Sequence, residues 1–158
     1  MNALSEAIGE LCKIILPIPE ASYHGNPNSS IAVCTLSSID LLKNFANSEI
    51  LNHISIAGRL LSENKGIDSI IKYIYKNQKI TTVIVCGKEV WGHKAGHSLF
   101  QLHKNGIDKN SRIINSTSPD PYLTVSKSEI QYFQNNITLV NLINETDLET
   151  ILDKIKIS

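Results

Sequence analysis

Thr82-Val83-Ile84-Val85-Cys86-Gly87-Lys88-Glu89-Val90-Trp91-Gly92-His93-Lys94-Ala95-Gly96-His97-Ser98 decides how the rest of the chain is read. Its first six residues are a continuous, mostly β-branched apolar run, the signature of a strand buried on both faces. Glycines and polar residues follow and allow a sharp turn. A helix is then expected over about 93–104, with Leu99, Leu102 and His103 on its inner side. A buried strand turning into a helix is half of a βαβ unit.

The flanking sequence repeats this alternation. Strands are expected at 31–36 and 53–58, and a short one at 112–115. Residues 137–143 read as the last strand. Ile67, Ile70, Ile71 and Ile74 give a helical period, and a second helix is expected over about 126–134, with Ser126 and Glu129 spaced as a capping box. A closing helix carries Leu148, Ile151, Leu152 and Ile155. Leu4, Ile8, Leu11 and Ile15 form a helical stripe before Pro17, so residues 1–16 are read as an appended helix. Residues 20–30, rich in Ser, Asn, Gly and Pro, read as a loop. The expectation is one α/β domain over 1–158 with a mostly parallel sheet covered on both faces.

Composition narrows the function. Hydrophobic residues make up 42% and charged residues 19%, an ordinary globular balance. Lys plus Arg and Asp plus Glu are 15 each, so no net field favours nucleic acid or an anionic membrane. Aromatics at 6% argue against a base-stacking surface. Cys12, Cys34 and Cys86 are odd in number and far apart, as expected of a reduced, cytoplasmic compartment. The run Ile14 to Pro19 is too short and too broken by proline for a signal peptide, and no run approaches the roughly 20 residues of a membrane span.

In an open parallel sheet, ligands bind beyond the carboxyl ends of the strands. Three such ends carry small or polar residues: Cys34-Thr35-Leu36-Ser37-Ser38, Cys86-Gly87-Lys88-Glu89, and Asn115-Ser116-Thr117-Ser118. Three chemistries compete for this rim. A phosphate loop has the spacing Gly87 to Gly92, but His93-Lys94-Ala95 lacks the hydroxyl that binds magnesium. A zinc pair at His93 and His97 needs a third ligand, from Cys86 or Glu89. A single axial metal ligand suits His93, because a helix N-terminus favours the neutral imidazole. Glu89 is either a loop acid or the partner that orients that imidazole. Trp91 is either a packing residue or a wall over a planar cofactor, and His93 itself can equally be an ordinary core-edge histidine.

Ordered blocks along the chain resemble a known family, the cytoplasmic domain of the A subunit of tetrahydromethanopterin S-methyltransferase, a corrinoid protein of methanogenic archaea. The blocks are Gly25-Asn26-Pro27-Asn28-Ser29-Ser30-Ile31 through Ser38, Gly58-Arg59-Leu60-Leu61-Ser62-Glu63-Asn64-Lys65-Gly66-Ile67, Val85 through His93 with Gly96 and Ser98, and Leu102 through Asp108. The resemblance implies a Rossmann-like three-layer fold and a cobalamin or related cobamide on the rim. The histidine of the family's E-V-x-G-H motif maps onto His93 as axial cobalt ligand. The cobalt accepts and donates a methyl group in such proteins, so methyl-donor and methyl-acceptor methyltransferase proteins are the implied partners. The chain would be a methyl carrier, not a complete enzyme.

Cofactor contacts are expected from strand ends and the helix start: Thr35, Ser37, Gly87, Glu89, Gly92, His93, Gly96, His97, Ser116 and Thr117. Two features depart from the family pattern. Its members usually extend to a C-terminal membrane helix, whereas this sequence stops at Ser158, so a shortened chain or a stand-alone soluble relative is expected. Ser116-Thr117-Ser118-Pro119-Asp120-Pro121-Tyr122 replaces a Gly-Ala-x-Pro-Tyr stretch, which changes the pocket's polarity. The competing readings are a nucleotide or metabolite enzyme using Glu89 and His93 as acid and base, and a cofactor-less interaction module.

Overall fold

The run Thr82–Gly87 forms the central strand, as its apolar character requires, and every other element is placed by it. The computed structural model describes residues 22–157. The expected helix over 1–16 lies outside them. In chain order the elements are β1 (Ser22–His24), β2 (Ile31–Cys34), α1 (Ile39–Ala46), a short 3-10 turn (Glu49–Asn52), β3 (Ile56–Gly58), α2 (Lys65–Lys76), β4 (Thr82–Gly87), α3 (Ala95–Asn105), α4 (Lys127–Asn136), β5 (Thr138–Ile143) and α5 (Leu148–Ile157). The sheet order is β1-β3-β2-β4-β5. Strand β1 runs antiparallel to β3, and all other pairs are parallel. This is a mostly parallel α/β sheet of Rossmann-like, three-layer type.

Alternate residues of β4 enter different cores. Val83 and Val85 pack with Ile67, Ile71 and Ile74 of α2, Leu99 and Leu102 of α3, and Phe133 of α4. Ile84 and Cys86 pack with Leu41, Leu42 and Phe45 of α1 and Ile151 and Ile155 of α5. The period of two thus sends one strand's side chains into both faces. The capping box at α4 forms as its sequence predicts: the Ser126 side chain accepts from Glu129 N–H, and the Glu129 carboxylate accepts from Ser126 N–H.

Several expectations need correction. The loop expected at 20–30 contains β1, a three-residue edge strand that owes its form to pairing with β3. The strand expected at 112–115 does not join the sheet and makes only isolated bridges, Ile107 with Ile113 and Arg112 with Tyr122. Positive φ at Ser111 and Asn115 bends the chain at both ends of that stretch. The expected strands 31–36 and 53–58 shorten to β2 and β3, and the helix expected from 93 starts at Ala95.

The long connection between α3 and α4 has no sheet or helix of its own, yet it is tied down. The buried carboxylate of Asp68 on α2 accepts from the N–H groups of Thr124 and Val125 and from the Thr124 hydroxyl. Arg112 donates to the carbonyls of Ile113 and Ser116. Long connections held in this way usually serve a site.

Burial, the largest cause, pushes the Cys34 thiol from 9.0 up to about 12. Cys86 moves in the same direction, again chiefly by burial, with Cys34 and Glu145 adding. A thiol whose pKa is raised in the folded state adds stability in full below its unfolded value and loses it as pH rises through the folded one. The thermal midpoint is therefore expected to fall from pH 9.0 toward about 12, and to fall less steeply in Cys34→Ala. Calorimetry across that range checks it.

Candidate functional site

The chain leaves β2 toward β3 on one side and later returns past it to β4 on the other. That reversal puts the switch point at the carboxyl ends of β2 and β4, where such sheets take ligands. Here the seam between those two ends is closed. Ser37 donates its hydroxyl to the Lys88 carbonyl at 2.8 Å, and Ser38 Oγ accepts from Lys88 N–H at 2.9 Å. Gly87, at φ +79°, passes so close to the Thr35 carbonyl that any side chain there would collide with it. Thr35 is fully buried and bonded to the Gly58 carbonyl. Of the expected contacts, Thr35, Ser37 and Gly87 thus stitch the rim together.

The open part of the rim lies toward α2 and α3. Three segments meet there: the β3–α2 loop, the β4–α3 loop, and residues 116–122 of the long connection. The β4–α3 loop turns at Gly92 (φ +80°), which has open space around its Cα. It enters α3 through Lys94 in the left-handed conformation, with no side-chain cap of its own. Glu89 does that work instead. Its carboxylate accepts from Gly96 N–H at 3.0 Å, His97 N–H at 2.8 Å and Val90 N–H at 2.8 Å. An acid at the positive end of a helix is favourably placed. Gly96 leaves the room it needs, because a Cβ there would sit 3.0 Å from Glu89 Oε2.

His93 lies in the turn just before α3, not in the helix as expected. Its Nδ1 is 2.9 Å from Glu63 Oε2; the His93 side chain is 55% exposed and that of Glu63 only 1%. Glu63 Oε1 accepts from Asp120 N–H at 3.0 Å. As a carboxylate Glu63 accepts at both oxygens, so Nδ1–H is the donor to Oε2, and in the neutral imidazole Nε2 is the nitrogen with the lone pair. Nε2 makes no hydrogen bond with any described residue. One buried acid thus joins the three segments and fixes the tautomer of an exposed imidazole.

His97 belongs to a different set. Its Nε2 accepts from Thr117 N–H at 3.2 Å and lies 3.3 Å from the Thr117 hydroxyl. Ser116 is buried, and its hydroxyl and that of Ser118 both bond the Ser98 hydroxyl, at 2.7 and 2.6 Å. Segment 116–118 therefore reaches the rim through hydroxyls packed against α3, not through a strand end. Thr117 stays exposed there. His93 and His97 have different partners, so the helix-face pairing expected for zinc does not form. Among the described residues, no group of three or more His, Cys, Asp or Glu is placed to hold a metal ion. Trp91 is 95% exposed, which rules out the packing reading. Leu61 and Tyr122, on the two neighbouring segments, are also exposed.

The expected orienting acid, Glu89, caps a helix, and Glu63 takes that role. It stands thirty residues before His93 in the sequence. The signal that points to it is position: an acid just beyond β3, on the rim where ligands gather.

The family model described as tetrahydromethanopterin S-methyltransferase, A subunit, matches residues 15–158. A Methanosarcina barkeri protein, named as the A subunit of the "Putative methyltransferase Mtx", is 37% identical over 138 residues, 86% of this chain and 66% of its own length. Its Methanosarcina acetivorans counterpart is 40% identical over 128 residues, 80% of this chain and 61% of its own. The tetrahydromethanopterin S-methyltransferase A 1 subunit of Methanothermobacter thermautotrophicus is 36% identical over 143 residues, 89% of this chain and 58% of its own. The chain thus spans roughly three fifths of the length of these relatives. No helix among the described residues is long and apolar enough to cross a membrane.

Proposed function

The chain belongs to the family of tetrahydromethanopterin S-methyltransferase A subunits, and on that premise we propose that it is a corrinoid-binding methyl carrier in which His93 is the axial ligand to cobalt. The observation that carries this reading is the Glu63–His93 pair. A metal-binding histidine characteristically donates its other ring N–H to a carboxylate, which fixes the tautomer and raises the basicity of the ligating nitrogen. Here Nδ1 is held and Nε2 is left unbonded on an exposed rim.

The residues present fit this group. A metal bound by protein alone needs several ligands, and the described residues bring no such cluster together. A cobalt already held by a macrocycle needs only one imidazole. The corrinoid, when bound, supplies a cobalt able to take up a methyl group and pass it on. The protein's share is to present Nε2 in one orientation. Trp91, Leu61 and Tyr122 add exposed apolar surface around it, suited to a large flat ring. His93 stands on an open rim, which leaves access for partner methyltransferase proteins carrying the methyl donor and acceptor.

The acid–base reading has less support, because the Glu89 carboxylate is engaged with three backbone N–H groups and is not paired with His93. Mixing the protein with hydroxocobalamin and desalting it tests the proposal. Retained red colour with a shifted visible band is expected, and loss of all colour on desalting would overturn it. Trp91 is the chain's single tryptophan. Its fluorescence is therefore expected to be strongly quenched on cobalamin binding, a second readout independent of the cobalt bands.

A further inference from the structure

Strand β5 closes one side of the sheet, and among the described residues no strand pairs with its outer edge. Thr138 N–H donates to the Thr81 carbonyl and Asn144 N–H to that of Gly87, so every second residue from 138 to 144 faces β4. Ile137, Leu139, Asn141 and Ile143 therefore turn their backbone groups outward. This row is capped at both ends. Ile137 N–H donates to the Phe133 carbonyl at 3.2 Å, and the Ile137 carbonyl accepts from His103 Nε2 at 2.7 Å. Ile143 N–H donates to Asn141 Oδ1 at 3.1 Å. Between the caps, the N–H and C=O groups of Leu139 and Asn141 have no partner among the described residues. An open edge is a template for another strand, and proteins usually blunt one with lysine, proline or a bulge. Thr138–Ile143 carries none of these. Its four apolar side chains stay partly exposed, whereas β4 is buried from Val83 to Gly87. Gly96, Phe100 and His103 share one face of α3. Gly96 adjoins Ile143 and His103 meets Ile137, so Phe100, itself only partly buried, lies beside the open stretch.

We propose that the β5 edge is a self-association surface, on which a second copy of this chain lays its own β5 antiparallel and joins two five-stranded sheets into one. The open groups decide the register. Leu139 of each copy faces Asn141 of the other, each such pair exchanging both N–H···O bonds, and the two-fold axis passes at Val140. A longer foreign strand would leave its own groups unpaired opposite Ile137 and Ile143, where the edge is already engaged. A second copy brings an open stretch of the same length, capped in the same way. The strand carries no charge, so the two-fold sets no like charges of β5 against each other. Because the paired strands run in opposite directions, the two His93 rims face opposite ways and both stay open. Neither Leu139 nor Asn141 belongs to the proposed corrinoid site.

Sedimentation velocity on the whole chain, from about 1 to 300 μM, tests this. A reversible monomer–dimer equilibrium is expected. Asn141→Pro removes an outward N–H and sets the ring in the interface, at a kind of edge position where proline is tolerated. It should weaken dimerisation at least about tenfold. Asn141→Ala keeps the N–H and should stay within about threefold of the wild type. Thermal melts followed by circular dichroism verify that both variants fold. Cross-linking gives a second readout. Cys34 and Cys86 are buried, so in a Cys12→Ser background Val140→Cys supplies an accessible thiol at the axis. Residues facing each other in such a non-hydrogen-bonded pair lie about 4.5 Å apart at Cα, within reach of a disulfide. Oxidised glutathione should therefore link two copies covalently, and should fail to do so once Asn141→Pro is added. If Asn141→Pro does not fold, the cross-link alone decides. A wild type that stays monomeric over the whole range would overturn the proposal and leave the edge to a strand from another chain. A dimer that survives Asn141→Pro, or that gives no Val140→Cys cross-link, would overturn it as well.

Discussion

His93→Ala is expected to abolish retention of hydroxocobalamin through desalting and to erase the shifted visible band, with affinity lower by about a hundredfold or more. The size follows from the proposed site having one protein ligand. Among the described residues no second histidine can substitute, because the Nε2 of His97 is already bonded to the Thr117 backbone. The fold should survive. The His93 side chain is 55% exposed, and its removal lets water reach Glu63 Oε2. A change in folding free energy of about 1 kcal/mol or less is expected at such a position. Spectral titration beside a thermal melt separates the two effects. An unshifted band in the wild type, or an unchanged one in the variant, would remove His93 from the cobalt.

Glu63→Gln should weaken corrinoid binding by about 10–100-fold, although the side chain keeps its shape. The reason is the tautomer. Asp120 N–H needs an acceptor, so the amide oxygen of the glutamine would take that position. Its NH₂ would then face His93 Nδ1, which must become the acceptor. The ring proton moves to Nε2, the atom proposed to bind cobalt. Glu63→Asp should recover part of the loss, because a shorter carboxylate still accepts from Nδ1–H. A packing role alone predicts the opposite order, with Gln harmless and Asp harmful. Titration of both variants with hydroxocobalamin distinguishes these outcomes.

Glu63 shows most clearly where sequence reading stops. Val83 and Val85 against Ile84 and Cys86 can be read as a strand buried on both faces, because alternation is a local property of the chain. The α4 capping box is local too, its partners three residues apart. The motif around His93 stands out for the same reason, a turn-forming run after the best strand. A hydrogen bond between residues 63 and 93 has no local signature. It exists because β3 and β4 flank β2 in one sheet and release their chains at the same rim.

The same limit explains the other reassignments. Glu89 sits in the motif beside His93 and reads as its partner. The chain enters α3 through a left-handed Lys94 that offers no cap, so the carboxylate serves three backbone N–H groups instead. Thr35, Ser37 and Gly87 lie at the switch point as expected, but there they close a seam. Segment 116–118 reads as a strand end on the rim; it arrives there through its hydroxyl contacts with Ser98.

The family resemblance put His93 first among the candidates; the sequence by itself determined the alternation of strands and helices and the rim on which a ligand would sit. These follow from apolar period and turn chemistry, which act over a few residues. The tertiary structure decided which acid holds the imidazole, which nitrogen is left to bind, which expected contacts are sealed in the seam, and which strand is left at the open edge. Each depends on strand order and loop packing, which join residues dozens of positions apart.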